Sequence, residues 1–130
     1  MRNSELLEAF RRELKQPGKI NLFDVVHRAV NSPTSRFWVS EDRAFSVISS
    51  MRRGESIDEM IPTKREMYSE IYARVSKLID TTPDISLIDA VTKVLNSPAP
   101  QFYLTDGSAI VILHHTKKLC RSKRQEATRI

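Results

Sequence analysis

Asn31–Ser40 reads NSPTSRFWVS, and Asn96–Thr105 reads NSPAPQFYLT, 65 positions later. The recurrence decides the fold, because it extends well beyond the phrase. From Ile20 to Ile48, set against Ile85 to Leu113 without gaps, nine of 29 positions are identical: Ile20/Ile85, Leu22/Leu87, Asp24/Asp89, Val26/Val91, Asn31/Asn96, Ser32/Ser97, Pro33/Pro98, Phe37/Phe102 and Ala44/Ala109. Chance gives roughly two at ordinary residue frequencies. Most other pairs are conservative, such as Arg28/Lys93, Trp38/Tyr103 and Ser40/Thr105. Upstream, Ser4-Glu5 faces Ser69-Glu70. The expected fold is therefore all-α: two tandem three-helix repeats of about 65 residues with short extended connectors, related by pseudo-symmetry.

Each copy reads as three helices. The first, over Ser4–Lys15, aligns Leu7, Phe10 and Leu14 in one stripe. Its counterpart is expected to start after Thr63, where Thr63-x-x-Glu66 has capping-box form, and to carry Met67, Ile71, Val75 and Leu78. Second helices begin at the N-caps Asn21 and Ser86, with Asp24 and Asp89 at N3 answering the caps and the helix dipole. Third helices follow Ser40 and Thr105 and place Ala44, Val47, Ile48 and Met51, or Ala109, Ile112 and Leu113, on one face. Gly54 reads as a helix stop, and Pro62 as the break between copies. The domain expectation is a first repeat over 1–62, a second over 63–118 packed on the first, and a basic tail over 119–130.

The repeated phrase is then largely punctuation. Asn31 and Asn96 are expected to end a helix in the left-handed conformation, with proline two residues on. Phe37 and Phe102 belong to the core. The connectors are short enough to pair with each other across a pseudo-two-fold axis. Arg36, Trp38, Gln101 and Tyr103 have no such backbone reason; the two aromatics either pack into the core or, with Arg36 and Gln101, form the candidate partner-binding surface.

Charge bounds the function. The chain has 130 residues, net charge +5 and a pI of about 9.6. Residues 117–130 hold six Lys/Arg and one acid; the other 116 residues balance, with 15 of each sign. A basic segment on a neutral body fits phosphate-backbone contact. Candidate nucleic-acid contacts are Lys117, Lys118, Arg121, Lys123 and Arg124, with Arg52 and Arg53, which match Lys117 and Lys118 across the repeat.

Catalytic chemistry is not evident. Phosphate-cradling glycine motifs are missing, and only three glycines occur. His27, His114, His115 and Cys120 lack chelating spacing, so neither a metal nor a cofactor is expected, nor a small-molecule substrate. One cysteine accords with a reducing, cytoplasmic setting, and no apolar run approaches the ~18 residues of a membrane span. Two functions remain: a non-catalytic nucleic-acid-associated protein using the basic tail and helix ends, or a protein–protein adaptor using the duplicated aromatic connector.

Overall fold

The structure, a computed structural model, describes residues 1–16, 18 and 21–116. Among these the fold is all-helical and has no strand. The helices are α1 (Arg2–Leu14), α2 (Leu22–Val30), α3 (Glu41–Arg52), α4 (Pro62–Thr81), α5 (Leu87–Leu95) and α6, residues 106–116. No helix among the described residues is long and apolar enough to cross a membrane.

Local chemistry explains most boundaries. Asn21 Oδ1 accepts the Phe23 and Asp24 N–H groups at 3.0 and 3.4 Å, and Ser86 Oγ accepts that of Asp89 at 3.2 Å. No return bond from either aspartate is seen among the described residues; a carboxylate one methylene shorter than glutamate reaches back less easily. Ser40 and Thr105 cap α3 and α6 through the N–H groups of Arg43 and Ser108. Gly54 ends α3 at φ 90°, with Gly54 N–H on Met51 O and Glu55 N–H on Ser50 O, the two bonds of a Schellman motif.

Two boundary expectations are corrected. Thr63 does not cap α4: the helix starts two residues earlier, with Ile61 at the N-cap, no side-chain cap bond and Pro62 in the first turn. Proline's missing N–H is harmless there and its φ is pre-set for a helix. Asn31 and Asn96 are not left-handed; they sit at φ −89° and −87°. Their side-chain amides donate back to His27 O and Thr92 O at 2.8 and 2.9 Å, satisfying terminal carbonyls without positive φ.

The chain forms two compact units, Met1–Ser32 with Leu104–Ile130, and Pro33–Tyr103. The first draws α1 and α2 from the first half of the sequence and α6 from the second. The other draws α3 from the first half and α4 and α5 from the second. This division cuts across the 62/63 boundary read from the repeat.

In the first unit the buried residues include Leu6, Leu7, Ala9 and Phe10 of α1, Val25, Val26, Ala29 and Val30 of α2, and Ala109 and Leu113 of α6. In the second, Ala44, Val47 and Ile48 of α3 share one core with Met67, Tyr68, Ile71 and Val75 of α4 and Ala90, Val91, Val94 and Leu95 of α5. Some positions 65 residues apart match in burial. Leu6 and Ile71 are both fully buried, and so are Ala44 and Ala109.

Candidate functional site

The connectors meet inside the second unit. Thr34 and Ala99, equivalent under the offset, exchange two hydrogen bonds as an antiparallel bridge: Thr34 N–H to Ala99 O at 3.0 Å and Ala99 N–H to Thr34 O at 2.9 Å. Pairing stops at that residue pair. Pro33, Pro98 and Pro100 flank it and offer no N–H to continue a ladder.

Around the bridge the two aromatic twins diverge. Trp38 is half-buried; its Nε1–H donates to Thr34 Oγ1 at 2.8 Å, and the Arg36 guanidinium lies 5.4 Å from its ring centroid. Arg36 also donates from Nε to Phe37 O. Tyr103 sits in the core instead of at a partner surface. It is 9% exposed and stacks on Phe37 with centroids 6.0 Å apart, from a left-handed backbone at φ 56°. The position equivalent to Thr34 is Ala99, which has no hydroxyl to receive a polar ring group. Gln101 remains half-buried. Of the four connector residues expected to face a partner, Arg36, Trp38 and Gln101 keep partial access and Tyr103 does not.

The Tyr103 phenol is pushed up to about 12, first by burial, then by Glu70 and Glu66, against the opposing charge of Arg74. The unfolded phenol ionises near 10. Between pH 10 and 12 the unfolded chain therefore holds fewer protons than the folded one, so stability falls as pH rises through that window. Below pH 10 the contribution is complete. Urea titrations at pH 9 and above should show this decline in the native chain and a shallower one in Tyr103→Phe.

Arg74, which sequence reasoning passed over, organises the same region. Its Nε donates to Glu70 at 2.8 Å, its Nη1 donates to Pro98 O at 2.7 Å, and its guanidinium lies 5.0 Å from the Phe37 ring centroid. The available signal was the i,i+4 spacing of Glu70 and Arg74.

The candidate nucleic-acid residues separate into two groups. Arg52 and Arg53 are exposed at the end of α3; Arg53 donates to Ser50 Oγ at 3.1 Å and lies 3.7 Å from Glu55. Lys117, Lys118, Arg121, Lys123 and Arg124 lie outside the described residues, as does Cys120. In the first unit, α1, α2 and α6 surround a hollow of about 250 Å³ lined by Phe10, Leu22, Val26, Ile110, Leu113 and His114. Leu22, at 59% exposure, and Ile110 face solvent at its edge. His27 Nδ1 lies 3.2 Å from the Asp106 carboxylate, linking α2 to the first turn of α6. No group of three or more metal-ligating side chains occurs among the described residues. No family model, curated protein or solved structure matches the chain.

Proposed function

We propose that the protein is a non-catalytic binding protein that associates with nucleic acid through residues 117–130, assisted by Arg52 and Arg53. The supporting observation is the charge asymmetry: a body of balanced charge followed by six Lys/Arg in fourteen residues. Such a segment gains affinity by releasing counterions from phosphates and carries little sequence preference. Fluorescence anisotropy with a labelled duplex at two salt concentrations tests it. Truncation after Thr116 should weaken binding and flatten the slope of log K against log salt by about five if all six cations contact phosphate. Binding unaltered by truncation would remove this reading.

A protein–protein adaptor is the second reading. It is favoured by the apolar hollow beside exposed Leu22 and Ile110, and by the remaining access at Arg36, Trp38 and Gln101.

The architecture proposed to serve either function is a fused pair of three-helix repeats that exchange their third helices. Three observations support it: matched bounds of α2 and α5, the reciprocal Thr34/Ala99 bridge, and two compact units that each combine helices from both copies.

A further inference from the structure

Between α4 and α5 the second unit has a groove of about 350 Å³. Leu78 and Val94 supply apolar lining, and Arg74, Lys77 and Lys93 supply positive charge. Lys77 and Lys93 are both exposed.

The corresponding positions in the first unit show what chemistry this place takes. Under the 65-residue offset Arg28 stands for Lys93, Arg12 for Lys77 and Glu13 for Leu78. Arg28 Nε donates to Glu13 Oε2 at 2.9 Å, so the cation on α2 has a carboxylate supplied by α1. In the second unit that carboxylate is replaced by Leu78. No ion pair to Lys77 or Lys93 occurs among the described residues, although Asp80 and Asp89 lie within a helical turn of them in sequence. One copy thus neutralises its cation internally. The other keeps the cations and gains an apolar surface beside them.

We infer that this groove binds an acidic, partly apolar peptide segment of another protein. A carboxylate of that segment takes the place beside Lys93 that Glu13 occupies beside Arg28. An apolar side chain lies against Leu78 and Val94. Arg74 stays committed to Glu70 and Pro98, and contributes field more than a contact. The lining has no aromatic ring on which a base would stack, so the groove suits a peptide better than a nucleic acid. The inference does not rest on the nucleic-acid reading.

The test is an NMR titration of the ¹⁵N-labelled full chain with a Glu/Leu peptide and a Lys/Leu peptide of equal length. The Glu/Leu peptide should shift the amides of Lys77, Leu78, Lys93 and Val94, and the Lys/Leu peptide should not. The charge reversal Lys77→Glu with Lys93→Glu should weaken binding about tenfold, through lost attraction and new repulsion. Lys77→Gln with Lys93→Gln should weaken it less, and the spectra themselves report that both variants fold. Truncation after Thr116 should leave the groove shifts unchanged. Unmoved groove amides, equal shifts from both peptides, or full affinity in the charge-reversed protein would overturn the inference. So would a single-stranded oligonucleotide that moves the same amides and displaces the Glu/Leu peptide.

Discussion

Cutting the folded chain between Glu55 and Ser56 is expected to leave one particle rather than two. Both residues are exposed, so a protease site placed there can be cleaved after folding. Each compact unit then holds helices from both fragments: α6 completes the first, and α3 completes the second. Losing α3 removes Val47 and Ile48, 5% and 0% exposed, from the second core. Each such side chain contributes about 1.5–3 kcal/mol by burial. Together they approach the ~5 kcal/mol that marks the lower end of small-domain stability. Neither fragment expressed alone should therefore show a cooperative thermal transition. Mixed fragments should recover one, and the nicked protein should elute with the intact chain in size exclusion. Two separately folded halves would instead show that third helices return to their own copies.

Phe37→Ala should be the most damaging single substitution at the connector, at about 3–5 kcal/mol. Phe37 is 1% exposed, with the Tyr103 ring stacked near it and the Arg74 guanidinium 5.0 Å from its centroid. Its N–H also donates to Leu95 O at 3.0 Å, which fixes the backbone and leaves the truncated side chain's space hard to close. Urea unfolding compared with Phe37→Leu separates ring from volume. The leucine variant should recover part of the loss, and equal stability of wild type and Phe37→Ala would contradict this packing.

Much of the local structure was legible because it is encoded within a few residues. Asn21, Ser86, Ser40 and Thr105 announce helix starts through side-chain oxygens, and the spacing of Val25, Val26, Ala29 and Val30 announces the buried face. Thr63 misled because a capping box and a first-turn proline give adjacent signals, and Pro62 took the start. The composition of the units was not legible. A 65-residue repeat has the same pattern whether a third helix folds back on its own copy or joins the other. Trp38 and Tyr103 look like twins, but a threonine hydroxyl present at 34 and absent at 99 accompanies two different orientations. The groove needed two helices to be compared at once: Glu13 with Arg28 in one unit, Leu78 with Lys93 in the other.

The proline-bounded bridge bears on how much backbone the connector offers for strand addition. A paired extended segment ordinarily presents a free edge on which another chain can add a strand. Here the amide that follows Thr34 by three residues is taken by Leu95 O, and Val39 N–H by Phe37 O. Positions 33, 98 and 100 have no amide hydrogen to offer. The connector can thus join two segments of one molecule while giving a second molecule little backbone to template on.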